Sequence, residues 1–359
     1  MHIQQNKIVK KIARDMYTFP YKIIDVEPDL NAELLRYFKG ERTGFVQVGP
    51  EKYFFPHKFK LEADKFYNFQ ARPDDIWVAT FPRSGTTWTQ ELVWLVANNL
   101  DFGTAKCQPL TERFPFFEFS LFVHPEVKSE LLSENINDKS KQEFIEHLSA
   151  PGYKTLDRWP LDRRRFIKTH LPFSLLPPSV MENKCKIIYV MRNPKDVAVS
   201  YYHLNRLYRT QGYCGDFTRY WSYFSRGLNP WLPYYSHIKE AYTHRNLPNI
   251  LVLNYEEMVS DLNGVILKVA AFLDITISKE RLKDVKEHLD IKNFRENPAV
   301  NGSEMSDIGV LLKGEAGFVR KGGNGTREEL VSDVELKKCV DEWIEKNIAK
   351  PAAKAILSV

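Results

Sequence analysis

Asp75-Ile-Trp-Val-Ala-Thr-Phe-Pro-Arg-Ser-Gly-Thr-Thr-Trp88 is the stretch on which the fold of this chain turns. Up to Phe81 it is a short apolar run that reads as a buried strand, and beyond the loop Trp88, Leu92, Leu95 and Val96 recur at helical spacing. A strand that passes through a tight loop into a helix aims backbone N–H groups and the helix dipole at one point, the geometry of an anion site. The loop does not fit GxxxxGK[ST]. Only Gly85 is glycine, and the cation Arg83 precedes Ser84 and Gly85 instead of following them, which weakens a kinase reading. An ordinary strand-to-helix turn capped by Ser84 or Thr86 uses the same residue types, so the loop does not decide the function alone.

Outward from it the pattern repeats. Phe166-Ile-Lys-Thr-His-Leu171 reads as a second strand. Lys186-Ile-Ile-Tyr-Val-Met-Arg192 reads as a third, entering a helix opened by Pro194 after an Asn193 cap, and Ile250-Leu-Val-Leu-Asn-Tyr255 as a fourth. Strands separated by helices predict an α/β fold: a central, mostly parallel sheet flanked by helices, with ligands beyond the carboxyl ends of the strands. One domain is expected over residues 1–359, with an N-terminal extension over 1–20 and a surface insertion near 120–158, where the texture turns polar around two short apolar patches. That insertion reads equally as a lid or as a passive excursion. Arg163–Arg165 reads as a solvated turn, and Ser332-Asp-Val-Glu335 as a capping box opening a closing helix through Trp343 and Ile344.

At 43% hydrophobic, 27% charged and 13% aromatic, the 359 residues have the composition of a folded protein with a sizeable core, not of a disordered, collagenous or coiled-coil chain. The longest stretch without Asp, Glu, Lys or Arg is Thr169–Met181, 13 residues containing three prolines, well short of the roughly 20 a membrane span needs. The basic N-terminus lacks the apolar segment of a secretory signal, so the expectation is a cytoplasmic protein with no membrane partner. Cys107, Cys185, Cys214 and Cys339 show no CxxC or metal spacing and are read as unpaired thiols; no zinc site follows. A net charge of +5 favours anionic ligands but is too small for a nucleic-acid footprint.

Four segments in order resemble the cytosolic sulfotransferases, which move a sulfuryl group from 3′-phosphoadenosine 5′-phosphosulfate (PAPS) to an alcohol, phenol or amine and release 3′-phosphoadenosine 5′-phosphate (PAP). Phe81–Trp88 resembles the 5′-phosphosulfate loop, and Lys168-Thr-His-Leu-Pro172 the catalytic strand. Tyr189–Tyr202 resembles the 3′-phosphate segment, and Phe318-Val-Arg-Lys-Gly322 the C-terminal phosphate clamp. Arg83 with Thr89–Leu95 is similar to an insect branch that contains retinol dehydratase. The resemblance implies a sulfotransferase acting on a hydroxyl of a small hydrophobic acceptor, with PAPS as co-substrate. Three other readings stand beside it: elimination of sulfate after transfer, a binding protein with little catalysis, and a nucleotide kinase.

Residue by residue, the resemblance makes His170 the general base, a role a group with an ordinary pKa of about 6.5 suits. Lys168, two residues earlier on the same side of a strand, stabilises charge on the leaving oxygen, with Arg83 beside it. Backbone N–H groups of Ser84, Gly85, Thr86 and Thr87 hold the 5′-phosphate. Arg192 and Ser200, with Arg320, Lys321 and the Gly322 backbone, hold the 3′-phosphate. Trp88 and Tyr255 flank adenine, Phe318 belongs to the clamp, and Phe116 and Phe119 of Phe114-Pro-Phe-Phe-Glu-Phe119 line the acceptor pocket. Because the SO₃ group in flight is formally neutral, no metal is expected. Four departures are visible: Arg83 stands where lysine is common, Ile291 where an aromatic often holds adenine, and Arg327 in place of a tryptophan. No dimer motif is recognisable around Glu328–Glu335, which leaves a homodimer possible but unsupported.

Overall fold

The computed structural model describes residues 16–315, 317–319, 328–331 and 333–348. The strands among them are β1 (Ile23–Asp25), β2 (Phe45–Val48), β3 (Tyr53–Pro56), β4 (Ile76–Thr80), β5 (Phe166–Thr169), β6 (Lys186–Met191) and β7 (Ile250–Asn254). The last four are the expected ones, and they form a parallel sheet in the order β5-β4-β6-β7. β4 is buried along its whole length, as a strand covered on both faces must be. Trp77 and Ala79 share one apolar layer with Ile167 and Ile187, while Ile76 and Val78 share the other with Phe166 and Ile188. β5 and β6 flank β4 on opposite sides, so the chain reverses its direction of travel at β4. That reversal opens a crevice at the carboxyl ends of β4 and β6.

Asn193 caps the helix Pro194–Leu207 as expected, its side chain accepting from the Lys195 N–H. The closing helix, Val334–Ile348, is capped one residue later than expected: the Asp333 carboxylate accepts the Leu336 N–H at 2.9 Å, and Ser332 lies outside the described residues. Trp343 anchors that helix, its ring 4.9 Å from that of Tyr235 and its indole N–H bonded to Ser225 O.

The antiparallel sheet β1-β2-β3 has no counterpart in the sequence reading, because strands of three or four residues leave too short a period to see. It has a positional consequence: Phe54 of β3 exchanges backbone bonds with Leu232 and Trp231, both at 3.0 Å, and so fixes Trp231. Of the expected N-terminal extension, residues 1–15 lie outside the described residues; Phe19 packs on Phe59 and Tyr67.

Segment 120–158 is helical, with Pro125–Glu134, Lys139–Ser149 and Gly152–Asp157. Its beginning is not surface: Ser120, Leu121, Phe122 and Val123 are buried, and Lys58 Nζ bonds Ser120 O at 2.7 Å. Gly152 returns the chain to the body by donating to Phe117 O, an approach so close that a Cβ would sit 2.3 Å from that oxygen.

The reading of Arg163–Arg165 as solvated holds for Arg163 and Arg164 and is corrected for Arg165, which is 2% exposed. Asp75, at the entry to β4, is the reason. Arg165 Nε and Nη2 reach its two oxygens at 2.7 and 2.6 Å, and the guanidinium also donates to Leu156 O and Gln70 O. This bidentate pair ties the starts of β4 and β5 together. Asp75→Ala leaves the guanidinium buried without its counter-charge and is expected to cost about 3–5 kcal/mol, measured by urea unfolding.

Candidate active site

The loop after β4 closes the crevice. Arg83 and Gly85 both have positive φ, 67° and 95°, and a Cβ on Gly85 would lie 2.7 Å from the Tyr255 ring, so only glycine lets the loop settle there. Arg83 carries real backbone strain in a loop expected to be functional. Thr86 and Thr87, which begin the helix Thr86–Ala97, line the cleft with Arg83, Gly85 and Trp88. Ser84 does not: its side chain is fully buried and its Oγ has no partner.

The cation side is built from three elements. Arg83 Nε donates to Ser200 Oγ at 2.8 Å, and its Nη1 to Phe318 O at 3.3 Å. Arg192 Nη1 donates to Arg83 O at 2.9 Å while its guanidinium lies 4.0 Å from the Tyr255 ring centroid. Arg192 Nε is buried and makes no bond, a bare charged donor in a wall where an anionic ligand would satisfy it. Trp88 is held by its indole bond to Leu289 O and stands 6.2 Å from Tyr255, so the two expected adenine neighbours do share one wall. Ile291 lines the same cleft. Arg320, Lys321, Gly322 and Arg327 lie outside the described residues.

β5 carries Lys168 and, just past its end, His170. His170 Nδ1 is 2.7 Å from Thr80 O; a carbonyl can only accept, so Nδ1 holds the hydrogen and Nε2 keeps its lone pair. Burial and the neighbouring Lys168 charge hold this imidazole well below its usual pKa, hence neutral at pH 7. Burial also pushes Lys168 down to about 8, against the opposing pull of Glu118. Its ammonium lies 4.2 Å from the Phe116 ring centroid. That contact follows from the backbone: Phe114–Phe119 runs beside β5, with Lys168 N–H donating to Pro115 O and Phe117 N–H to Lys168 O.

Phe116 and Phe119 link two spaces. They line the cleft with Lys168 and His170, and they also line a second cavity, shared with Lys168, whose far walls come from Phe144 and Leu148 of segment 120–158 and from Val300 and Met305. The cavity is largely apolar, with Lys168, His147 and Glu304 among its polar lining, and through Phe116 and Phe119 it adjoins the cleft that His170 lines, an arrangement that suits a hydrophobic molecule presenting a hydroxyl.

Glu118 and Trp231 are site residues that sequence reasoning missed. Glu118 is 0% exposed and takes bonds from the His170 N–H at 2.6 Å, the Thr169 hydroxyl at 2.8 Å and the Trp231 indole at 3.1 Å. Burial pushes its carboxyl up to about 7, opposed by those same donors. Trp231 in turn stands edge-on to His170, ring centroids 5.1 Å apart. A lone acid inside an aromatic run was the available signal for Glu118. Nothing local marks Trp231.

Glu118→Leu strips three buried donors of their acceptor and is expected to lower the unfolding free energy by about 1–3 kcal/mol for each donor left bare. Glu118→Gln keeps an oxygen toward His170 and Trp231 and should recover most of that loss. Equal melting temperatures for the Leu variant and the parent would contradict the assignment.

The comparisons with known proteins agree with this geometry. The sulfotransferase domain family model matches residues 73–351. Luciferin sulfotransferase of Photinus pyralis is 36% identical over 311 residues, covering 85% of this chain and 80% of its own. Two crystal structures of retinol dehydratase superpose with a TM-score of 0.85 at 36% identity, one in complex with androsterone and the inactive cofactor PAP, the other with retinol and PAP. They cover 92% of this chain and 97% and 98% of theirs. With a family model matched over most of its length and relatives of this identity and coverage, the chain is a member of the sulfotransferase family, an enzyme that transfers a sulfuryl group from PAPS to a small hydrophobic acceptor.

Proposed function

We propose that His170 Nε2 takes the proton of the acceptor hydroxyl as its oxygen bonds to sulfur, and that Lys168 meets the negative charge left on the phosphate oxygen as the S–O bond breaks. The observation that carries this is the orientation of His170: its Nδ1–H is committed to Thr80 O, which leaves Nε2 as the only ring atom able to accept a proton. Lys168, with a pKa near 8, is mostly protonated at pH 7 and can supply the cation. Its partial desolvation strengthens that interaction, since Coulomb energy rises as the local dielectric falls.

On the nucleotide side, the Thr86 and Thr87 hydroxyls and the N–H groups at the start of their helix are assigned to the 5′-phosphate. Arg192 and Ser200, with Arg320, Lys321 and the Gly322 backbone, are assigned to the 3′-phosphate. Arg83, which is bonded to Ser200, joins this nucleotide side and acts on the leaving group through its charge; Trp88 and Tyr255 take the adenine. The acceptor occupies the cavity between Phe116, Phe119 and the insertion, and segment 120–158 acts as its cover, since Phe144 and Leu148 point their apolar groups into that space.

With ³⁵S-labelled PAPS and a panel of phenols, sterols and retinoids, the parent enzyme is expected to form labelled products. His170→Ala should lose about 10²–10⁴ in turnover while calorimetry shows PAP binding retained. Parent-like turnover by this variant would remove His170 from the role. In the free enzyme, kcat/KM should fall as pH rises through about 8, because Lys168 then loses the proton its role requires.

Replacing 124–150 by a short Gly/Ser linker tests the cover. The expected result is unchanged PAP affinity, a raised KM for large apolar acceptors and little change for small phenols. A uniform change across acceptor sizes would show a passive excursion.

A further inference from the structure

The acceptor cavity has one charged residue besides Lys168 that is partly withdrawn from water. Glu304 lies in the short helix Ser303–Asp307, half-buried, and lines the cavity with Thr111, whose hydroxyl donates to Glu304 Oε1 at 2.5 Å. The surrounding lining is mostly apolar, with Phe114, Phe116, Phe119, Phe144, Leu148 and Met305, and its other polar side chains include Gln90, His147 and Thr155. A carboxylate in such a wall is costly unless donors meet it, and it offers about four acceptor positions, of which Thr111 fills one.

Glu304 and the reacting groups share one continuous wall. Lys168 Nζ lies 4.2 Å from the Phe116 ring centroid, Phe116 is 5.6 Å from Phe119, and Phe119 is 6.1 Å from Tyr208. The Tyr208 hydroxyl then reaches Sδ of Met305, the residue after Glu304, at 3.6 Å. An acceptor with its hydroxyl at His170 would have these rings along which to extend its apolar body toward Glu304.

We propose that Glu304, oriented by Thr111, is a recognition subsite remote from the reacting hydroxyl. It selects hydrophobic acceptors that carry a second hydrogen-bond donor, a hydroxyl or an amine, and disfavours those ending in a carboxylate. The chemistry follows from the group: an ionised carboxyl only accepts, so it rewards O–H and N–H and repels a like charge. Burial and the nearby Glu112 raise its pKa, which sharpens the need for a partner donor. This inference rests on the reading that the acceptor occupies the cavity beside Lys168.

The test uses 4-alkylphenols of several chain lengths ending in methyl, hydroxyl, amine or carboxylate, with PAPS and the full-length enzyme. Mass spectrometry counts only product sulfated at the phenol. For the parent, kcat/KM at the best chain length is expected to favour hydroxyl or amine over methyl by about tenfold, as a hydrogen bond to a charged group implies, and to fall for carboxylate. In Glu304→Ala the ratios should collapse toward one. Glu304→Gln, which keeps the Thr111 bond, should relieve the rejection of carboxylate and retain part of the hydroxyl preference. PAP binding by calorimetry reports that each variant is folded. Unchanged ratios in both variants would overturn the subsite and leave the Thr111–Glu304 bond as a link between two short helices. Sulfation of the methyl-terminated phenol without end-group preference would overturn the subsite alone, whereas no sulfation of any phenol, sterol or retinoid by the parent would overturn the functional reading beneath it.

Discussion

One buried carboxyl group holds the Lys168–His170 end of this molecule together. Glu118 receives the backbone N–H of His170, the hydroxyl of Thr169 and the indole of Trp231, each from a different structural commitment. Thr169 ends β5, His170 begins the loop beyond it, and Trp231 is pinned from behind by β3. A fully buried carboxyl group whose oxygens are met by three donors favours one arrangement of them, because slippage leaves a buried donor or acceptor bare at a cost of about 1–3 kcal/mol. The segment carrying Glu118 also lies hydrogen-bonded along β5. The aromatic wall and β5 are therefore tied together on either side of Phe116, through Pro115 O and the Phe117 N–H.

The electrostatics follow from that construction. The rings around Lys168 and His170 remove water and depress both pKa values, which keeps the imidazole neutral and brings the ammonium near the upper edge of physiological pH. Glu118 opposes this for Lys168, its negative charge keeping the ammonium's pKa from falling further. On the role proposed for Lys168, a phosphosulfate in the cleft would add negative charge beside it, favour its protonated form and so strengthen the cation of the transfer step.

The cavity proposed for the acceptor is assembled from distant parts of the chain: rings from Phe114–Phe119, the helices of segment 120–158, and the stretch from Ala299 to Met305. Segment 120–158 returns at Gly152 onto Phe117, so both its ends are anchored on the aromatic wall. Across its first helix, Glu126, Glu130 and Glu134 pair with Arg42 and Arg209 of the body. Those pairs are partly exposed and are weakened by salt, whereas the apolar contacts inside are not.

Much was legible in the sequence because it was local. The strand-to-helix loop at Pro82–Thr87, the Asn193–Pro194 helix start and the four parallel strands are patterns a few residues long, dictated by backbone sterics and by the two-sided burial of a parallel sheet. Lys168 on β5 and His170 just past its end line the same cleft, as a side-chain period of two leads one to expect. What the tertiary structure alone decided are interactions between residues far apart in the chain. Arg165 looks like part of a solvated basic turn until the start of β4 brings Asp75 against it. Trp231 becomes a neighbour of His170 only through an antiparallel sheet whose strands are too short to show a period. Glu118 has three donors from positions 169, 170 and 231, and Glu304 meets Thr111 across 193 positions. Composition and periodicity carry no information about such partners, since a side chain's charge, exposure and proton affinity are set by what the completed fold places beside it.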